Sequence, residues 1–205
     1  MNGYIPSRKE AIELLKKYTK EFFEIILSHV LAVEKLSLFI AEQIKDDIDL
    51  EIISRGALLH DIARALYKLG DINSINHGVK GYEILLKEGI DEKIAMIARN
   101  HVGVGITEED IKKQKLPMKL DNYVPITIEE IIVSYADNRV KGDKIKDVIF
   151  PIKRYLKEIG EDYAKRMIDQ HNYLVEHGFE IDYNGEETKK LDYSLLDDIK
   201  ILDYL

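Results

Sequence analysis

The chain has 205 residues, 45% of them hydrophobic, which is enough for one domain with a substantial core. It has no cysteine, which excludes disulfides, thiolate metal sites and cysteine nucleophiles. The formal net charge of −8 gives no electrostatic reason to expect long nucleic acids as ligands. Because no apolar run approaches the roughly 18 residues of a membrane span, and the first residues lack the apolar segment of a signal peptide, we expect a cytoplasmic protein.

Apolar residues recur at helical spacing through most of the chain and predict an all-α fold. Capping signals at Ser7 with Glu10, and at Thr127 with Glu130, mark two of the helix starts. The predicted helices cover residues 8–17, 28–44, 49–64, 77–87, 91–100, 127–140, 151–177 and 194–204, with a short helix from residue 107. Residues 66–76 and 115–125 are predicted as loops, and residues 179–183 as a short strand.

Six polar residues stand beside apolar or small residues in these predicted helices or directly at their ends: His29, His60, Asp61, His77, His101 and Asp137. Neutral imidazole and carboxylate groups are good ligands for divalent metals such as iron, manganese, cobalt and zinc. The adjacent His60 and Asp61 point about 100° apart on a helix, so both can turn toward a metal between them. His29 and Asp137 would complete a first metal site. His77 and His101 could hold a second metal, with the two oxygens of Asp61 as a bridge.

Each of these residues alone also has an ordinary structural interpretation. A single buried histidine is most often a hydrogen-bonded core residue, and His101 could complement the negative end of its helix. The six residues together, in this order on predicted helices, favour one metal site assembled from several helices.

The order His … His-Asp … His … His … Asp resembles the HD-domain superfamily of metal-dependent phosphohydrolases. The family's first histidine, its name-giving pair, its two middle histidines and its final aspartate match His29, His60-Asp61, His77, His101 and Asp137. The middle histidines occur in branches with a two-metal centre. The resemblance covers about residues 7–140. The relatives that the chain most resembles are stand-alone archaeal proteins and a branch that hydrolyses nucleotides such as diadenosine tetraphosphate. The resemblance implies an HD-domain helical bundle over 7–140, with a C-terminal helical extension over 141–205 packed on the same domain.

The resemblance also implies hydrolysis of a small phosphorylated compound, above all a nucleotide, by attack of a metal-activated hydroxide on phosphorus. One departure is Arg64, where many relatives have lysine, because arginine keeps the charge but cannot transfer a proton. We predict catalytic roles for Asp61, Arg64 and Lys80, and contacts between substrate and Arg64, Lys80, Arg139 and Asn100. Solvation at the surface is the alternative for each cation, and a local helix-end role is the alternative for the asparagine.

Two other functions stay open on the sequence. One is a phosphodiesterase that acts on a cyclic nucleotide or on RNA ends. The other is a non-catalytic nucleotide-sensing module with a structural metal. The expected cofactor is one or two divalent ions of iron, manganese, cobalt, nickel, zinc or magnesium. The expected partner is a small phosphorylated substrate, with no membrane contact, and a homodimer is left open.

Overall fold

The computed structural model describes residues 3–68 and 70–202. Ten α-helices form most of this part of the chain, which confirms the predicted all-α class. A short antiparallel hairpin of β1 (Val140–Lys141) and β2 (Lys144–Ile145) lies between the seventh and eighth helices. The helices are α1 (Arg8–Thr19), α2 (Phe23–Ala41), α3 (Leu50–Leu59), α4 (His77–Lys87), α5 (Glu92–Asn100), α6 (Glu108–Gln114), α7 (Ile128–Asn138), α8 (Ile149–Glu158), α9 (Glu161–Glu176) and α10 (Leu195–Leu202).

Local capping explains where several helices begin. The Ser7 hydroxyl accepts from the Glu10 backbone N–H and the Glu10 carboxylate accepts from the Ser7 N–H, so the predicted capping box of α1 is complete. Thr127 caps α7 in the same way, but only half of its predicted box forms. The Glu130 carboxylate instead accepts from the side-chain amide of Asn100, which joins the start of α7 to the end of α5.

Several predicted boundaries differ from the structure. The predicted helix over 49–64 ends at Leu59, so Asp61 and Arg64 lie in the turn after it. α2 begins at Phe23, and Ser28 lies inside it with its hydroxyl donating to the Ile25 carbonyl, so Ser28 is not a helix cap. The predicted helix over 151–177 is two helices, because Gly160 adopts a φ of 139° that ends the helical path between α8 and α9. The predicted strand over 179–183 is reduced to an isolated bridge at Ile181, and the predicted end of the last helix at Tyr204 lies outside the described residues.

One main apolar core holds the helices together. Its centre is formed by fully buried side chains of α2, α3, α5 and α7, among them Val33, Leu36, Ile53, Ala57, Ile94 and Val133. Side chains of the C-terminal extension, such as Ile152, Met167 and Phe179, belong to the same core. Burying a side chain of this size contributes about 1.5–3 kcal/mol, so the core fixes the four central helices against one another. None of the described helices is long and apolar enough to cross a membrane.

Candidate metal centre

The structure brings all six predicted metal ligands together where five segments of the chain converge. The segments are α2, the end of α3 with the turn after it, the start of α4, the end of α5 and the end of α7. In that order they carry His29, His60 with Asp61, His77, His101 and Asp137. Three overlapping groups of these residues have their donor atoms within 4.8 Å of one another.

Three of the histidines share one local geometry at helix ends. His60 and His101 follow the last residues of α3 and α5, and His77 follows a 3-10 helix over Ile72–Asn76. In each case Nδ1 lies 2.6–2.8 Å from the carbonyl oxygen three residues earlier. Carbonyl groups near a helix end lack partners in the helix, and they can only accept. Nδ1 therefore carries a hydrogen, so that in the neutral form of each ring the Nε2 lone pair faces the centre of the cluster.

His29 is oriented by the β-hairpin. Its Nδ1 lies 3.0 Å from the carbonyl oxygen of Gly142, in the turn between β1 and β2. Its Nε2 lies 2.9 Å from Oδ1 of Asp137, near the end of α7. The hairpin thus aims the fourth imidazole at the same centre.

The Asp61 carboxylate faces two sets of imidazoles. Its Oδ1 lies 3.2 Å from Nε2 of His77 and 3.7 Å from Nε2 of His101. Its Oδ2 lies 4.0 Å from Nε2 of both His29 and His60. We call His29, His60, Asp61 and Asp137 the first subsite, and Asp61, His77 and His101 the second subsite. Asp61 belongs to both, which is the arrangement of a carboxylate between two cations.

The donor atoms fit a divalent cation. Within the described chain, Nε2 of His60 and Oδ1 of Asp61 are buried and have no hydrogen-bond partner, which is costly for polar atoms. Nε2 of His77 and Nε2 of His101 lie 2.9 Å apart, although both rings direct lone pairs there when neutral. A proton or a cation between these atoms removes the repulsion. Imidazole and carboxylate donors without thiolates suit iron, manganese, cobalt, nickel or zinc.

The charges of the cluster suit the same ligand. Burial raises the pKa of Asp137, but the hydrogen bond from His29 and the nearby His60 ring outweigh it and hold that pKa well below its usual range. The pKa of Asp61 is also held well below its usual range, because His101 and His77 outweigh the effect of burial. Burial lowers the pKa of His101, which favours the neutral ring. Two carboxylates therefore stay ionised at neutral pH in a largely buried site.

The close approach of α4 to α5 depends on a glycine. A Cβ at Gly78 would lie 2.8 Å from the carbonyl oxygen of Ala98 and 3.0 Å from that of Arg99. The Ala98 carbonyl is the acceptor that orients His101. Gly78 thus lets the residue next to it, His77, stand against His101 with ring centroids 4.9 Å apart.

Two of the three cations predicted to contact substrate, Arg64 and Lys80, differ in whether their side chains already have a partner. Arg64 lies in the turn after Asp61, with its backbone N–H donating to the Asp61 carbonyl. Its side chain is partly exposed and makes no ion pair or hydrogen bond with the described residues. Lys80 lies one turn after His77 on the exposed side of α4 and pairs with Glu83 at 2.7 Å. Both positions stay predictions for substrate contact.

A substrate-binding role for Arg139 conflicts with its placement. Its side chain is 1% exposed, and its guanidinium donates to the Lys146 carbonyl, the Tyr135 hydroxyl and the Asp182 carboxylate. These bonds tie α7 to the C-terminal extension and leave the guanidinium inside the protein. Asn100 is also buried and engaged at both ends of its amide, which donates to Glu130 and accepts from Arg99. Both residues support the fold around the site.

Sequence reasoning missed the residues that α8 adds next to Asp137. Arg154 Nη2 donates to Oδ1 of Asn138 at 3.1 Å, and the Tyr155 hydroxyl donates to the same oxygen. Burial raises the pKa of Tyr155 to about 12, and the nearby Asp137 carboxylate adds to this rise. The signal available in the sequence was the basic character of α8.

The chain resembles three curated proteins along most of its length. It is 38% identical over 175 residues to an uncharacterized protein of Methanocaldococcus jannaschii, covering 82% of this chain and 98% of that one. It is 39% identical over 170 residues to the tRNA (cytidine(56)-2'-O)-methyltransferase of Thermoplasma volcanium and 37% identical over 171 residues to that of Picrophilus torridus. These two matches cover 83% of this chain but 47% of each relative, so the chain spans about half the length of the methyltransferases.

The chain also resembles a solved structure and matches a family model. The HD domain of the L. monocytogenes phosphodiesterase PgpH, in complex with cyclic-di-AMP, is similar with a TM-score of 0.51 and 16% identity, covering 95% of both chains. This likeness shows a shared fold. The family model of the HD domain matches residues 26–141, a range that contains all six residues of the metal centre. The chain therefore belongs to the HD-domain family.

Proposed function

We propose that this protein is a metal-dependent phosphohydrolase that acts on a small phosphorylated compound, with a nucleotide as its preferred substrate. The observation that carries the proposal is the Asp61 carboxylate, whose two oxygens face separate sets of imidazole nitrogens. A divalent cation bound there would lower the pKa of a coordinated water and polarise a phosphoryl oxygen. The HD-domain fold of PgpH, which binds a cyclic dinucleotide, supports the choice of a nucleotide.

Different residues of the centre are expected to bind the metal and to bind the substrate. The first subsite would hold one cation and the second subsite another. Nδ1 hydrogen bonds to backbone carbonyls keep the rings turned inward, which spares the cost of ordering them when the metal binds. Arg64 lies in the turn directly after Asp61, its side chain pairs with none of the described residues, and it would bind phosphate oxygens as negative charge develops on them.

Arg64→Ala is expected to lower kcat/KM by a factor that corresponds to about 2–4 kcal/mol. Arg64→Lys keeps the charge and should lose less. Lys80→Ala should lose less than Arg64→Ala, because Lys80 is already paired with Glu83. The melting temperature should change little in all three variants, since neither side chain supports the core. A large drop in melting temperature with unchanged turnover would make Arg64 a structural residue instead.

A second candidate activity is a phosphodiesterase that acts on RNA ends or on a cyclic nucleotide. The two long relatives that are named tRNA methyltransferases support a substrate connected with RNA. We infer that methyl transfer belongs to the half of those proteins that this chain does not match, because this chain, which resembles the other half, carries the histidine and aspartate cluster. PgpH supports a cyclic dinucleotide as the other substrate of this class.

The test is a substrate screen with protein depleted of metal and then reloaded with manganese, cobalt, nickel or ferrous iron. The panel contains nucleoside mono-, di- and triphosphates, diadenosine tetraphosphate, cyclic-di-AMP and an RNA with a 2',3'-cyclic phosphate end. We expect metal-dependent release of product from one of the mononucleotides or dinucleotides. Exclusive cleavage of the RNA end would favour the second candidate. Stoichiometric metal binding with no turnover of any compound would favour a nucleotide-sensing module.

A further inference from the structure

The segment that follows the last predicted metal ligand has a net positive charge, opposite in sign to that of the whole chain. Residues 141–157 contain six lysines and arginines and two aspartates, although the whole chain has a net charge of −8. Lys141, Phe150 and Arg154 lie together in this segment, and we call these three residues the cationic-aromatic patch. The patch belongs to β1 and α8, outside the residues expected to bind metal.

The patch combines one aromatic ring with two cations close to it. The Lys141 ammonium lies 5.8 Å from the centroid of the Phe150 ring, and the Arg154 guanidinium carbon lies 6.0 Å from it. Phe150 is partly exposed. Many other partly buried apolar side chains of the described chain pack against the main core, but Phe150 is not one of them. Cation–π contacts at exposed sites contribute about 0.5–1 kcal/mol each, so this grouping adds little to stability. An aromatic surface with positive charge beside it is suited to a ligand that combines a flat ring with negative charge.

Two contacts place the patch beside the first subsite. Arg154 donates to the side chain of Asn138, the residue after Asp137. Lys141 precedes Gly142, whose carbonyl orients His29. The patch therefore borders the metal centre on the side of His29 and Asp137.

Most N–H donors of the Arg154 guanidinium have no hydrogen-bond partner in the described chain. Within the described chain its guanidinium makes one hydrogen bond, through Nη2, although the group carries five N–H donors. Its plane also lies near the Tyr155 ring, with the guanidinium carbon 4.9 Å from the centroid. These contacts hold the group in place while its other nitrogens remain able to bind an anion.

We propose that Lys141, Phe150 and Arg154 bind the nucleoside phosphate substrate beside the metal centre. Phe150 contacts the base, and Arg154 with Lys141 binds phosphate oxygens. Lys141 is exposed and can move aside when a base stacks on the ring. This assignment rests on the proposed function and gives the C-terminal extension a part in substrate recognition.

The test uses a new fluorophore. The chain has no tryptophan, so Phe150→Trp creates a single-tryptophan protein whose emission reports a base stacked on that side chain. Adenosine diphosphate is titrated into this variant after metal depletion, which prevents turnover. We expect saturable quenching, and about tenfold weaker competition by ribose 5-phosphate than by adenosine monophosphate, which has the same phosphate but also a base to stack. Phe22→Trp is the matched control, because Phe22 is exposed in the short 3-10 helix before α2. Its emission should not respond.

Adding Arg154→Ala to Phe150→Trp should raise the Kd for adenosine diphosphate about tenfold, as expected for loss of a charged hydrogen bond. Adding Tyr155→Phe instead should leave the Kd unchanged, although it also removes a donor to the Asn138 amide oxygen. An equal effect of the two changes would mean that Arg154 only supports Asn138, and would overturn the proposal. Absence of quenching, or equal quenching of Phe22→Trp, would also overturn it.

The outcomes separate this proposal from the proposed function. If the wild-type protein hydrolyses nucleotides but Phe150→Trp does not respond to them, the cationic-aromatic patch is wrong and the phosphohydrolase stands. If Phe150→Trp responds but the metal-loaded protein turns over no compound, the patch stands and the protein binds nucleotides without hydrolysing them.

Discussion

Asp61→Ala is expected to abolish turnover, more completely than any single change outside the six ligands. The variant loses the carboxylate that both subsites share, together with a negative charge that balances the cations. The remaining imidazoles should then hold metal weakly, and turnover should fall by at least about a thousandfold, which corresponds to several kcal/mol of lost stabilisation. His60→Ala should be nearly as severe. The measurements are metal content, circular dichroism and phosphate release on the same preparations.

The helical signal should survive in Asp61→Ala, because the core around Val33, Leu36, Ile53 and Ala57 does not depend on that carboxylate. Asp61→Asn should fall between the wild type and Asp61→Ala in metal content, since it keeps one oxygen ligand but loses the charge. Asp47→Ala removes an exposed aspartate outside the cluster and should match the wild type. Wild-type metal content and phosphate release in Asp61→Ala would refute the site.

A double variant, His77→Ala with His101→Ala, is expected to lower the metal content from two ions per chain to one. These histidines face Oδ1 of Asp61, so their loss empties the second subsite while the first subsite keeps all its donors. Turnover should fall by about a hundredfold or more, because one of two cations that stabilise charge on the phosphate is lost. Elemental analysis after reconstitution gives the stoichiometry directly.

His177→Ala is the matched control for the double variant. His177 lies at the end of α9, where Nδ1 donates to the Tyr173 carbonyl, far along the chain from the cluster. It should keep the metal content and turnover of the wild type. If wild type and double variant both saturate at one ion, then the centre holds a single metal. His77 and His101 would then donate hydrogen bonds to the phosphate of the substrate.

Helix order and helix ends made the metal centre predictable from the sequence. Capping residues such as Ser7 and Thr127 act within one turn, so a local pattern is enough to place the starts of α1 and α7. Three of the candidate ligands come at helix ends, where a histidine can satisfy a free carbonyl three residues earlier. The order of the six candidate ligands along the chain matches the HD-domain family, and this match predicted that their segments meet. In the structure, three overlapping groups of these residues have donor atoms within 4.8 Å of one another.

The errors concern contacts between distant parts of the chain. Arg139 stands two residues after Asp137, and from the sequence it resembles a phosphate ligand. It is instead paired with Asp182, 43 residues later, which no local pattern indicates. The break at Gly160 was missed because a single glycine inside a periodic stretch is compatible with a continuous helix. The place of Arg154 beside Asn138 likewise depends on how α8 folds back on α7.

The most direct test of the central claim is phosphate release by the wild-type protein before metal depletion, after it, and after reloading with manganese or ferrous iron. We predict that depletion abolishes hydrolysis of nucleotides, that reloading restores it, and that reloading fails to restore it in Asp61→Ala. Hydrolysis that persists at an unchanged rate after complete metal depletion, or that returns equally in Asp61→Ala, would contradict a metal-dependent phosphohydrolase centred on this carboxylate.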